Sequence, residues 1–136
     1  LGLLPAINDE VRKFTEFHPG IHLSTHIDAL PAEISDDVSI VLYRVIQEAL
    51  TNIAKHSQAA NASLGLRNHD NGIHLQVHDD GCGFDSREKI HRSGFLEGYG
   101  LHSMKERVEI CKGDFQIRSE PGNGTIINVF IPLNNA

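Results

Sequence analysis

The sequence has no tryptophan and one methionine, and only 6% of its residues are aromatic, so any core must be built mainly from aliphatic side chains. It has no apolar run near the ~20 residues that a membrane-spanning helix needs, and no basic, apolar and then small-residue leader that would mark secretion. There is no excess of positive charge. Twelve Lys and Arg face 18 Asp and Glu, the formal net charge is −6 and the pI is near 5.8. That balance disfavours a protein that holds nucleic acid by general electrostatic attraction. The two cysteines, Cys82 and Cys111, lack metal-type spacing, and a chain of this size does not need a disulfide. A reducing, cytoplasmic compartment is therefore expected. No internal repeat or low-complexity linker interrupts the chain.

What is present is an ordinary globular balance: 136 residues and 15.0 kDa, 40% hydrophobic and 22% charged. That size fits one domain spanning 1–136. The opening Leu1-Gly2-Leu3-Leu4-Pro5 has no methionine, so a piece of a longer protein is expected. Segment 5–17 suits a short helix, with Pro5 in its first turn and Ile7, Val11 and Phe14 on one face. Residues 21–27 alternate as a half-buried strand. After Leu30-Pro31, Ser35 or Asp36 can cap a long helix to about Ser57, whose stripe is Val38, Leu42, Val45, Ala49, Ile53 and His56. Residues 62–67 and 73–78 form a hairpin around Asn71-Gly72. A glycine-rich polar stretch, 80–100, leads to a helix over 101–112 that Gly113 stops. Strands 114–119 and 124–131 follow. The order predicts an α/β (α+β) two-layer sandwich, a mixed sheet with helices packed on one face.

Nine histidines raise the question of metal binding. His22, His26, His74 and His78 lie on the polar sides of two strands and could cluster only if those strands were neighbours. Decoration of the solvent face of the sheet is the favoured reading. Protonation of all nine would carry the net charge from −6 towards +3, so solubility is expected to be poorest near pH 6.

Four segments carry possible chemistry, each with a plainer alternative. Glu48 and Asn52 are neighbours on one edge of the long helix, with Lys55 a turn further on. Carboxylate and amide oxygens suit Mg²⁺ and a lysine suits phosphate; the plain alternative is a polar helix shoulder. Asp79-Asp80-Gly81-Cys82-Gly83-Phe84 follows a strand. Its glycines allow close approach of a ligand, and a carboxylate there can accept from the exocyclic amine of adenine; otherwise it is a simple turn. Gly98-Tyr99-Gly100-Leu101 opens a helix, whose free amides favour anions. It is neither a dinucleotide fingerprint nor a Walker loop. Gly122-Asn123-Gly124-Thr125 alone reads as a hairpin turn.

Taken in order, the four resemble the N, G1, G2 and G3 boxes of the GHKL ATPase superfamily (gyrase, Hsp90, histidine kinase, MutL), over nearly the whole chain. Two stretches sharpen the likeness: Tyr43-Arg44-Val45-Ile46-Gln47-Glu48-Ala49-Leu50-Thr51-Asn52-Ile53-Ala54-Lys55-His56, and Gly98-x-Gly100-Leu101-x-x-Met104-x-Glu106-Arg107. They are similar to bacterial sensor histidine kinases that work with helix-turn-helix (NarL/LuxR-type) response regulators. The short lid segment, Asp85 to Glu97, fits that subfamily, and so does Leu1-Gly2-Leu3-Leu4, which resembles the stretch just after its dimerisation helices.

The resemblance implies the histidine kinase-like ATPase fold, with ATP and Mg²⁺ as cofactors and transfer of the γ-phosphoryl group to a histidine. It assigns Mg²⁺ to Asn52 and polarisation of a water or the incoming nucleophile to Glu48. Lys55 and His56 would approach the phosphates. Asp79 would hold the adenine amine, with Gly81 in the same loop and Gly83 and Thr125 lining the base pocket. Gly98, Gly100 and Leu101 would offer amides to the phosphates, and Ser93-Gly94 would let the lid close. The acceptor histidine is expected elsewhere. Of the His-Asp pairs, His69-Asp70 lies at a hairpin turn and His78-Asp79 at a strand end, and neither opens an amphipathic helix. The chain is thus expected to be the cytoplasmic catalytic half of a kinase, without its dimerisation and sensor regions, and anchorage of the parent in a membrane is left open. Its partners would be ATP, its own dimerisation domain and, through the whole kinase, a response regulator, with no direct nucleic acid. The piece would be monomeric and the parent a homodimer. Two other readings stay open: a stand-alone serine kinase of the anti-sigma-factor type, and a nucleotide-responsive binding module without transfer activity.

Overall fold

The computed structural model describes residues 2–31, 34–84 and 100–133. Helix α1 (Leu3–Phe17) buries Ile7 and Phe14, with Val11 partly covered, as their spacing predicts. It begins two residues before Pro5, because a first-turn amide has no helical partner to lose. Strand β1 (His22–Ile27) lies at one edge of the sheet. Helix α2 (Asp36–Asn52) is capped by Ser35, whose Oγ accepts from the Val38 amide at 3.2 Å, and Asp36 and Asp37 complement the positive helix end.

The α-helical form ends at Asn52, and Ile53–Ser57 continue as a single π-helical turn. The wider turn alters the expected stripe. Ser57 is buried at the position where α-periodicity predicts His56, and His56 is exposed. Ser57 Oγ donates to the Ile53 carbonyl at 2.8 Å and accepts from the Ala59 amide at 3.1 Å, which satisfies the buried hydroxyl.

Strands β2 (Asn61–His69) and β3 (Gly72–Asp79) form the expected hairpin, but its turn is Asp70-Asn71. Both residues take positive φ, 47° and 59°, the type I′ geometry that continues the strand twist. Gly72 belongs to the ladder instead, opposite His69, and a Cβ there would collide with the Phe130 ring. Helix α3 (Leu101–Ile110) is followed by β4 (Asp114–Ser119) and β5 (Thr125–Pro132). The left-handed residue after α3 is Lys112, at φ 62°, and Gly113 is the next residue, its amide bound to the Val108 carbonyl at 2.9 Å.

The five strands form one sheet in the order β1-β2-β3-β5-β4, parallel between β1 and β2 and antiparallel elsewhere. The parallel pair requires a crossover, and α2 supplies it. α2 packs against α1, α3 and β3, and α3 against β4, so helices and sheet enclose one aliphatic core. Since β2 separates β1 from β3, His22 and His26 do not share neighbouring strands with His74 and His78. Among the described residues no helix is long and apolar enough to cross a membrane.

Candidate functional site

Three strands change character at the same end of the sheet. On the core face, β3 runs Ile73, Leu75, Val77 and then Asp79. β5 runs from Thr125 to Ile127, Val129 and Ile131, and β4 runs Phe115, Ile117 and then Ser119. Asp79 pairs with Thr125, and Thr125 with Ser119, so one polar rung closes three apolar rows. Asp79 and Ser119 are each 5% exposed. The far end of α2 and the π turn stand over this rung.

Together they enclose a cleft lined by Ala49, Asn52, Ile53, His56, Ser57, Val77, Asp79, Gly83, Phe84, Ile117, Thr125 and Ile127. Apolar walls with a few convergent polar atoms are the usual constitution of a small-molecule site. The cavity volume is about 30 Å³, room for about two waters.

The loop after β3 is fastened on three sides. The Gly81 amide donates to Asp79 Oδ1 at 2.8 Å. The Cys82 amide donates to the Ser57 carbonyl at 2.6 Å, and the Cys82 carbonyl accepts from the Gly122 amide at 2.6 Å. Gly81 lies so close to Ser57 that a Cβ would strike the Ser57 carbonyl. Asp80 turns away and takes the Ala60 and Asn61 amides at 3.0 and 2.9 Å. The hydrogen bonds from Asn61, backbone first and then side chain, hold its carboxyl below the usual range.

Asp79 is the opposite case. Burial raises its pKa above 3.8, and the Gly81 amide opposes the shift only in part. The folded state therefore holds the Asp79 proton more tightly than the unfolded state does. The favourable contribution is present in full below pH 3.8 and is lost as pH rises through the folded pKa, so a charged, buried carboxylate is a burden at neutral pH. Asp79→Asn is neutral throughout. The melting temperature of Asp79→Asn relative to wild type is therefore expected to climb between acid and neutral pH. A difference independent of pH would contradict the burial argument.

The other residues singled out in the sequence are distributed unevenly. Asn52, His56, Asp79, Gly83 and Thr125 line the cleft. Gly81 shapes it from behind. Glu48, one turn before Asn52, lies beside Gly100, where a Cβ would come within 2.7 Å of Glu48 Oε2. Gly100, at φ 68°, is the N-cap of α3 and Leu101 its first residue, so the amide end of α3 and the Glu48–Asn52 edge of α2 face one region. Lys55 is not brought into the cleft. It lines the groove between α1 and α2 with Lys13, Phe14 and Phe17. Gly98, Ser93-Gly94 and the segment from Asp85 to Glu97 lie outside the described residues. Sequence reasoning missed Ser57 and Ser119. The signal for Ser119 was available: it is a hydroxyl at a core-face position of an alternating strand.

No group of three His, Cys, Asp or Glu side chains that could hold a metal exists among the described residues. Mg²⁺ commonly keeps several waters and binds through one or two protein oxygens plus substrate phosphates. Asn52 at the cleft, with Glu48 one turn away, fits that kind of site.

The chain matches the family model described as histidine kinase-, DNA gyrase B-, and HSP90-like ATPase over residues 37–135. It is 35% identical over 133 residues to the signal transduction histidine-protein kinase/phosphatase DegS of Brevibacillus brevis, covering 98% of this chain and 33% of that protein. It is 32% identical over 135 residues to the oxygen sensor histidine kinase NreB of Staphylococcus carnosus, covering 99% and 38%. Similarity to the sensor histidine kinase ComP of Bacillus subtilis is 35% over 133 residues, covering 98% and 17%. The chain thus spans less than half the length of each. In fold it resembles the histidine kinase domain of the Erythrobacter litoralis EL346 blue-light activated kinase, with a TM-score of 0.80 at 17% identity, covering 98% of this chain and 62% of that one. It also resembles the mycobacterial sensor histidine kinase MprB, with a TM-score of 0.73 at 21% identity, covering 97% and 95%.

Proposed function

The chain belongs to the histidine kinase-, DNA gyrase B- and HSP90-like ATPase family, and on that premise we propose that it is the ATP-binding catalytic domain of a sensor histidine kinase. In this reading it passes the ATP γ-phosphoryl group to a histidine on the dimerisation domain of the same kinase, within a two-component system whose regulator is of the helix-turn-helix type. The observation that carries the reading is the buried Asp79 carboxylate at the closed end of an apolar cleft. Such a group asks for a donor, and the exocyclic amine of adenine is one.

Phosphoryl transfer of this kind rests on positioning and charge stabilisation. Asp79 and the apolar walls fix the base, which aims the triphosphate along the α2 edge towards Asn52 and the start of α3. Mg²⁺, when bound, would supply positive charge against that of the phosphates, and Asn52 is the side chain that would hold it. Glu48 would polarise the incoming nucleophile. The amides of Gly98, Gly100 and Leu101 and the side chain of His56 would meet the phosphates. Lys55, which points into another groove, would reach them only from outside the cleft.

Two expected results test this. Asn52→Ala should remove the part of ATP affinity that depends on Mg²⁺ while leaving the Mg²⁺-independent part. If the two proteins respond equally to Mg²⁺ in calorimetric titration, Asn52 is not a ligand. Incubating the chain with labelled ATP and a separate polypeptide carrying the dimerisation helices should place label on a histidine of that polypeptide, weakly, because the covalent linkage that raises effective concentration is missing. Label on a serine of a small partner protein would favour the anti-sigma-factor alternative. ATP binding with no transfer to either would favour a nucleotide-responsive module.

A further inference from the structure

The π turn that ends the long helix, Ile53–Ser57, carries its own fastening. In an α-helix the Ile53 carbonyl would receive the amide of residue 57, whereas the amides of a π turn reach back five residues. Here the Ser57 side chain takes up that carbonyl. Its Oγ donates to Ile53 O at 2.8 Å and accepts from the Ala59 amide at 3.1 Å. Both directions are set by chemistry, since a carbonyl only accepts and an amide only donates. Two further ties run from Cys82. Its amide donates to the Ser57 carbonyl at 2.6 Å, and its thiol to the His56 carbonyl at 3.2 Å. The turn is thus anchored to the loop that follows Asp79.

The turn decides which side chain of the helix end reaches the cleft. A continuous α-helix would set His56 in the apolar stripe, in line with Ala49 and Ile53. In the structure Ser57 fills that buried place, and His56 lines the cleft beside Asn52. Lys55 falls in the groove between α1 and α2. From within the cleft, the helix end therefore offers the phosphates an imidazole and not an ammonium. We propose that Ser57 is a positioning residue for nucleotide binding: by holding the π turn it keeps His56 in the cleft wall, where the imidazole meets the phosphates. Ser57 acts through His56 and not by touching the phosphates itself.

Losing the hydroxyl removes both of its bonds at once. The Ile53 carbonyl can then take the amide of residue 57, its α-helical partner. A turn tightened in that way swings His56 out of the cleft wall. The base end is built on β3, β4 and β5, so a nucleoside still finds it. A general loosening of the domain, or of the Cys82 ties, would weaken nucleoside and nucleotide alike and cancel in their ratio. The mark of the positioning role is a loss confined to the ligand that carries phosphates.

This inference rests on the proposal that the cleft binds ATP, and the experiment separates the two. Mg-ATP and adenosine, which has no phosphates, are titrated into wild type, Ser57→Ala and Ser57→Cys, with folding checked by circular dichroism. Ser57→Ala should lower the ratio of Mg-ATP to adenosine affinity by about fivefold, the effect of one hydrogen bond's worth of ordering. Ser57→Cys keeps the size of the side chain but is a weak donor and acceptor. It should shift the ratio in the same direction, and it carries the test if the alanine variant does not fold. In a His56→Ala background the Ser57 substitution should no longer change the ratio. If wild type binds neither ligand, the ATP-binding proposal itself fails. If wild type binds both and the Ser57 variants keep its ratio, whether or not both affinities fall together, the Ser57 inference is overturned while ATP binding stands. A Ser57 effect on the ratio that persists without the His56 imidazole overturns it as well.

Discussion

Asp79→Asn is expected to cut ATP affinity by roughly tenfold or more while leaving the ligand-free domain at least as stable at neutral pH. The substitution preserves shape, and its remaining oxygen can still accept the Gly81 amide that now donates to Oδ1 at 2.8 Å. What changes is the atom facing the cleft, where an NH₂ group meets the exocyclic amine of adenine, donor against donor. A buried hydrogen bond left unmade costs about 1–3 kcal/mol. The ligand-free domain, by contrast, is relieved of a desolvated charge that burial opposes. The two changes have opposite signs, so general loss of structure cannot imitate them. Calorimetry and thermal melting of one preparation give both. Unchanged ATP affinity removes Asp79 from base recognition, and a lower melting temperature at neutral pH contradicts the burial argument.

The second large effect is expected at the β4–β5 turn, where two glycines of positive φ allow a controlled comparison. Gly122 has φ 83° with open space where a Cβ would stand, and Gly124 has φ 75° with the Asp79 carbonyl in that space. Gly122→Ala carries only the left-handed backbone cost, about 1–2 kcal/mol. Gly124→Ala adds a collision with backbone atoms of Asp79 and Asp80 that no side-chain rotation relieves, for a total of about 2–5 kcal/mol. That is a large share of the ~5–15 kcal/mol by which a domain is stable. Gly124→Ala also pushes on the strand end that carries Asp79, so ATP affinity should fall with stability, whereas Gly122→Ala should bind ATP normally. Urea unfolding and ATP titration of the pair decide it. Equal destabilisation by both alanines contradicts the steric account.

The sequence revealed the fold where local chemistry had a single solution. The Ser35 cap, the apolar stripe of α2 and the alternation of Ile73, Leu75 and Val77 place those elements within a residue or two of the structure. It misled where two local signals competed. Asn71-Gly72 is a strong turn dipeptide, but Gly72 is needed in the ladder under the Phe130 ring, so the turn moves one residue back to Asp70-Asn71. A regular helical period cannot reveal a π turn, and that turn, tied through the Ser57 carbonyl to the Cys82 amide, decides that Ser57 and not His56 is buried. Of the residues that line the cleft, Asn52, His56, Asp79, Gly83 and Thr125 were legible only through the resemblance of the ordered set to the family boxes, since each segment alone reads as a polar helix shoulder or a turn. Ser119 carried a local signal, a hydroxyl at a core-face position of an alternating strand, but its place in one rung with Asp79 and Thr125 appears only when β3, β5 and β4 are paired.

The central claim is that the cleft closed by Asp79 and Thr125 is where ATP binds. The most direct test is to follow the backbone amide resonances of the isotope-labelled chain while ATP and Mg²⁺ are added. Saturable shifts are expected at Asp79, Gly81, Gly83, Thr125 and Asn52, with Lys13 and Phe17 in the α1–α2 groove unmoved. Absence of saturable shifts, or shifts confined to that groove, would contradict the claim.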